Sequence, residues 1–251
     1  MGRRGGVTYL VASAVKSDLA EIRRAAPEVW RQVRRYNLPV QLALAAAFEV
    51  INSSLNPSTL AVVSLAPCQP GSADLYRWGQ VVTEGMAQGN LGDTRMNPTQ
   101  TLHAVDNLAM SAFAINQGNH AYCLGLGGAA GQAWAGLEAV QERLSYGQET
   151  EALLMAGDQD CAQDWAAGIG IALLFSASPR PYNSRGQTVR LISVERERRP
   201  HMDAPVPHAS AGLCAVLSAI EEHAGGQLSY DVPLEHSDGV DAVRVLLEVG
   251  R

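Results

Sequence analysis

Ala121-Tyr122-Cys123-Leu124-Gly125-Leu126 is an uncharged apolar run, followed by Gly127-Gly128-Ala129-Ala130-Gly131 and then by the amphipathic stretch Gln132–Tyr146. The run is short enough for a buried strand. The small residues make an elbow, and the 3.6-residue periodicity after them predicts a helix that Gly147 ends. Glu151–Ala156 reads as the next strand, closed by Gly157-Asp158-Gln159-Asp160. Strand, tight elbow, helix, strand is the pattern of parallel pairing. An elbow at a helix N-terminus stabilises negative charge through the helix dipole and free backbone N–H groups, so it suits an acyl-transfer nucleophile. No Ser, Cys or Thr stands between Gly127 and Gly131, and Cys123 lies earlier, inside the strand.

The same alternation extends upstream. Val7–Ser13 reads as a strand, and the arginine-rich Asp18–Tyr36, interrupted by Pro27, as a surface arm of two helices. Leu38–Asn52 is apolar at helical spacing, with Pro39 suited to a first turn. Thr59–Leu65 is a second buried-strand run; a helix from Gly71-Ser72 to Gln88, a polar loop Gly89–Pro98 and a long helix Thr99–Gln117 follow. Downstream, Gly168–Ser176 and Thr188–Glu197 are strands, His208–Ala224 is a helix stopped by Gly225-Gly226, and Gln227–Val232 and Asp241–Val249 are closing strands. Strands and helices alternate to about Ala156 and strand then follows strand, which predicts an α/β protein with a mixed sheet.

Composition narrows the function classes. The 251 residues are 47% hydrophobic and only 18% charged, with a net charge of −6. That excludes disorder and provides no basic footprint for nucleic acid. No stretch is long and apolar enough to span a bilayer and no signal peptide stands out, so no membrane association and a cytoplasmic location are expected. Cys68, Cys123, Cys161 and Cys214 are scattered, without the CxxC pairs of zinc or redox sites, and read as reduced thiols. No metal is expected. Gly125, Gly127 and Gly128 match neither a Walker loop nor a dinucleotide fingerprint.

The remaining polar candidates have plain readings beside the functional ones. Cys123 reads as core or interface packing before it reads as a catalytic thiol, because burial raises a thiol's pKa and blunts it. His103 reads first as a hydrogen-bonded structural histidine. Asp106-Asn107 suits a cap, although a carboxylate on an apolar helix needs a partner. Asp158 and Asp160 read as a solvated turn, with a two-carboxylate metal site a poor second. Arg23, Arg24, Arg31, Arg34 and Arg35 form one cluster; Arg196, Arg198 and Arg199, interleaved with glutamates, form another. Either could be an ordinary solvated face, or a docking patch for an acidic partner.

The segment Pro98-Thr99, Ala104-Val105-Asp106-Asn107, then Leu108–Phe113, with the elbow after it, resembles β-ketoacyl synthases of the thiolase fold. More narrowly, it is similar to the short ketosynthase-like proteins of aryl-polyene and highly reducing type II polyketide systems. The likeness covers roughly residues 34 to 176. Ala104 and Asp106 depart from that family's serine and histidine, and the elbow lacks its cysteine, whose position falls between Gly127 and Ala129. His201, His208, His223 and His236 lie in the later half, none in that family's glycine-rich histidine motif.

The resemblance implies a single domain over residues 1–251: a thiolase-like layered α/β/α fold with a complete N-terminal half, an abbreviated C-terminal half over residues 177–251 and an arginine-rich arm over residues 16–36. It implies a catalytically silent, chain-length-factor-type subunit, paired with a catalytic ketosynthase in a heterodimer or heterotetramer. No cofactor is implied; the substrate would arrive on the phosphopantetheine of an acyl carrier protein. Met96, Asn97, Thr99, Leu102 and Asp106 would lie near the partner's acyl tunnel. Ala121, Tyr122, Cys123, Leu124, Leu126, Gly128, Ala129 and Gln132 would form the partner interface. The alternative is a free-standing acyltransferase or hydrolase using Cys123, His103 or Asp106 in a remodelled site.

Overall fold

The computed structural model describes residues 7–67, 72–89, 107–127, 132–147, 149–159, 167–182, 186–198, 208–223, 225–236 and 239–250. In chain order these form β1 (Thr8–Lys16), α1 (Leu19–Ala25), α2 (Pro27–Val33), α3 (Leu38–Val50), β2 (Ala61–Leu65), α4 (Ser72–Ala87) and α5 (Leu108–Gln117). They continue with β3 (Cys123–Leu126), α6 (Gln132–Ser145), β4 (Glu151–Gln159), β5 (Gly168–Ser176), β6 (Thr188–Arg198), α7 (Ala209–Glu222), β7 (Gly226–His236) and β8 (Gly239–Gly250). The arm folds as expected, with Pro27 in the first turn of α2.

The strands make one eight-stranded sheet in the order β3-β2-β4-β5-β1-β6-β8-β7. β3, β2 and β4 are parallel; every other neighbouring pair is antiparallel. Central strands buried on both faces need apolar residues throughout. Every residue of β2 is buried, and its alternate side chains serve different layers. Val62 joins α3 and α5 on one face; Val63 and Leu65 join α6 and α7 on the other. The result is three layers, helix on sheet on helix.

α3 is the inner helix. Pro39 through Phe48 are all buried, with Val50. Its seat exists because two strand residues lack a side chain. A Cβ on Gly157 would collide with the Pro39 carbonyl, and one on Gly170 with the Leu42 backbone. The one polar side chain in the buried stretch, Gln41, donates from Nε2 to the Tyr36 carbonyl at 2.6 Å and the Arg34 carbonyl at 3.3 Å. It thereby ties the arm to α3.

The far side of the sheet is built differently. β1 pairs with β6 only from Thr8 to Leu10. The register of β6 against β8 then shifts between Leu191 and Ser193. Such a bulge leaves a backbone group without a ladder partner; the Ile192 carbonyl is met by Gln141 Nε2 of α6 at 2.9 Å. Beyond it β6, β8 and β7 continue as a three-stranded antiparallel ribbon.

One expectation is corrected. β4 does not end at Ala156; it runs to Gln159, so Asp158 is a strand residue, 2% exposed, rather than part of a solvated turn. Asp160 lies outside the described residues. The reason is pairing: Gly157, Asp158 and Gln159 register with Gly170, Ile169 and Gly168 of β5, which holds an apparent turn sequence in the sheet. Among the described residues no helix is long and apolar enough to cross a membrane.

Candidate functional site

In open α/β sheets, ligands bind beyond the C-terminal ends of the parallel strands. Here those ends are Leu65, Leu126 and Gln159. The start of α3 lies against Gly157 and Gly168, Asn107 before α5 lies against Gly125, and Ser210 in the first turn of α7 meets Asp158. α6 starts at Gln132, shortly after the end of β3 in sequence. Positive helix ends therefore gather at one end of the sheet, where they favour negative charge.

β3 is the outermost strand on this side. The Tyr122 and Leu126 carbonyls accept from Val62 and Ala66 of the neighbouring strand, each at 2.8 Å. Backbone groups alternate in direction along a strand, so the N–H and C=O of Cys123 and Gly125 point away from β2. Tyr122, Cys123, Leu124 and Leu126 are half-buried, as is Ala121 before them; Gly125 and Gly127 are exposed. α5 and α6 flank this edge. Tyr122 is held by Arg143 of α6, whose guanidinium sits 3.9 Å from the ring centroid and pairs with Glu149 at 2.6 Å.

The Cys123 side chain packs toward α3 and α5, and burial pushes its thiol pKa up. That lowers its thiolate fraction at neutral pH. Gln132 opens α6. Met96, Asn97, Thr99, Leu102, His103, Asp106, Gly128 and Ala129 lie outside the described residues.

Two polar clusters were not legible as such in the sequence. In the first, Asp158 Oδ2 accepts the Ser210 backbone N–H at 3.0 Å and the Ser210 hydroxyl. His208 Nδ1 stands 3.4 Å from the same oxygen and accepts the Ala211 N–H at 3.1 Å as the cap of α7. That bond puts the proton of the neutral ring on Nε2. In the second, the buried Glu151 accepts from Ser54 Oγ at 2.6 Å, from the backbone N–H groups of Leu55 and Asn56, and from Arg180 at 2.5 Å. Arg180 also donates to the Ser53 carbonyl. This second cluster is saturated, and it joins the β2 approach to β4 and β5.

The arm presents exposed Arg31, Arg34 and Arg35. Arg31 pairs with Glu28, and Arg35 donates to the Tyr36 hydroxyl at 2.7 Å. Beside them a cleft of ≈ 240 Å³ runs between the arm, Phe48 of α3 and Ile115 of α5; Ile115 is 81% exposed. The second arginine group differs. Arg196 and Arg198 lie on β6, where the backbone of Arg198 registers with that of Asp241 on β8, and Arg199 lies outside the described residues.

No family model matches the chain, and no curated protein matches its sequence. Solved structures do match in shape. The ishigamide ketosynthase/chain length factor aligns over 96% of this chain and 99% of its own at 14% identity, with a TM-score of 0.60. A type II polyketide synthase acyl-carrier protein in complex with its ketosynthase bound to the hexaketide gives 97% and 99% coverage, 7% identity and a TM-score of 0.60. A ketosynthase in complex with its chain length factor from Xenorhabdus doucetiae covers 87% of this chain and 80% of its own at 12% identity, with a TM-score of 0.52. The chain has the thiolase-like α/β fold.

Proposed function

We propose that this chain is a catalytically silent, chain-length-factor-type subunit that pairs with an active β-ketoacyl synthase. The observation that carries the reading is the combination at β3: an apolar strand at the rim of the sheet among the described residues, followed by a small-residue sequence without a nucleophile. A ketosynthase cysteine must sit at the elbow, beside donors that hold the developing oxyanion. Residues 127–131 read Gly-Gly-Ala-Ala-Gly and include no thiol. An unpaired apolar edge is an aggregation hazard unless another chain covers it. Fold neighbours that are ketosynthase and chain-length-factor complexes support the same assignment.

In this reading the subunit shapes the tunnel that receives the growing acyl chain. Met96, Asn97, Thr99, Leu102 and Asp106 face the partner's tunnel, and the acyl carrier protein docks on the arginine arm. Met96→Trp or Leu102→Trp then shortens the product while condensation continues; an unchanged product distribution at normal complex yield contradicts the tunnel role.

Silence is tested by intact mass. The purified chain, given acyl carrier protein thioesters, forms no acyl adduct, and Cys123→Ala leaves condensation by the complex within about twofold, apart from a packing cost to stability. A stoichiometric adduct on Cys123 overturns the assignment and favours the free-standing acyltransferase.

A further inference from the structure

The cleft beside the arm lies apart from the carboxyl end of the parallel strands. α3 and α5 both start at that end, and the cleft meets them in their middle and later turns, at Leu44, Phe48 and Ile115. Its floor is apolar and firmly packed: Phe48 stacks on Phe113, with ring centroids 5.8 Å apart. Ile115 stands at the lip, 81% exposed, a large apolar side chain that this subunit leaves in water. The opposite wall carries two cations, Arg31 and Arg35, and among the described residues no carboxylate lines the cleft.

Both guanidinium groups are available. Arg35 lies over the Tyr36 ring, 4.9 Å from its centroid, and donates to the Tyr36 hydroxyl at 2.7 Å. Tyr36 is itself fixed where Gln41 donates to its carbonyl. One bond to a hydroxyl leaves most of a guanidinium's donors for a ligand. Arg31 pairs with Glu28, but both side chains are exposed, and such a pair yields readily to a better partner.

We infer that this cleft binds a small amphipathic carboxylate, with the acid on Arg31 and Arg35 and the apolar body against Phe48 and Ile115. Charge complementarity selects the acid. The chain carries a net charge of −6, so two arginines with no acidic group between them run against its overall charge. The guanidinium fork matches a carboxylate in geometry as well as in sign. Volume selects the size: ≈ 240 Å³ is below the roughly 300–1,000 Å³ of a drug-sized site, so the cleft takes a short chain. The inference rests on the arm, α3 and α5 alone and does not depend on the pairing proposed for β3.

Calorimetric titration with sodium octanoate at fixed ionic strength tests it. The protein is the chain alone or with a β-ketoacyl synthase of the proposed partner type, whichever light scattering shows to be monodisperse. Octanoate binds saturably, and hexanoate about tenfold more weakly, because two methylenes leave the apolar wall. The double variant Arg31→Gln/Arg35→Gln and the single variant Ile115→Asp each weaken octanoate by about tenfold or more. All three side chains are exposed, so the variants fold as wild type does. No saturable binding, equal affinity for the two acids, or octanoate binding unchanged in either variant overturns the inference. An acidic amphipathic helical peptide titrated in parallel covers the other occupant; if it binds and octanoate does not, the cleft is a protein-docking face and the inference is wrong.

Discussion

Glu151 opens β4 with a charge, yet it is 2% exposed. Burying a carboxylate is tolerable only when its oxygens are bonded and its charge is matched. Ser54, the Leu55 and Asn56 amides and Arg180 do both. Glu151→Gln keeps the shape and removes the charge, so it costs about 2–3 kcal/mol in denaturant unfolding, with an unchanged slope. A loss below about 0.5 kcal/mol would mean that the cluster is ornamental. Cys214 gives a prediction in pH. Its folded pKa is pushed up to about 11, above the ordinary thiol value of 9.0, so between these values the unfolded thiol has released its proton and the folded one has not. Stability therefore falls as pH rises from about 9 toward 11. Cys214→Ala flattens that part of the profile; equal slopes for variant and wild type contradict the assignment. At this scale the sequence was a partial guide. The missing nucleophile could be read directly from Gly127–Gly131. Asp158 was misread because Gly-Asp-Gln-Asp has turn chemistry, and only pairing with β5 shows that it stays in the sheet.

Helices and strands are where sequence reading succeeds best, because burial writes its period into the chain. The cores of β2, β3, α3 and α6 stand within a few residues of their expected positions. What local pattern cannot show is which strand lies outermost. Ala121–Leu126 is equally apolar as an edge or as a centre, and only the sheet order places β3 at the rim. That placement gives a sharp variant. The Cys123 N–H points away from β2, so proline there removes a donor that the β2 ladder does not use. Cys123→Pro folds, with a loss of no more than about 1–2 kcal/mol, and fails to bind the ketosynthase. Normal complex formation contradicts pairing through this edge. α3 offers a second variant. Gly170→Ala drives a methyl group into the Leu42 backbone and costs about 3 kcal/mol or more by thermal unfolding, since neither helix nor strand can yield cheaply. A near-neutral result would mean that α3 is not seated as described.

The whole molecule is one sheet with helices on both faces, and its two edges differ. The β3 rim is short and apolar. At the other rim β7 is longer, running from Gly226 to His236. The alternation of strands and helices made the layered fold readable to about Ala156; the order of β6, β8 and β7 was not, since long-range pairing depends on partners far along the chain. The account predicts that only the β3 rim assembles. Light scattering on the chain, alone and mixed with an active β-ketoacyl synthase of the proposed partner type, tests this most directly. The account predicts that the chain alone aggregates or is unstable, and that with the ketosynthase it forms a stoichiometric complex that condenses acyl groups. A stable, monodisperse monomer whose mass does not change when the ketosynthase is added contradicts it.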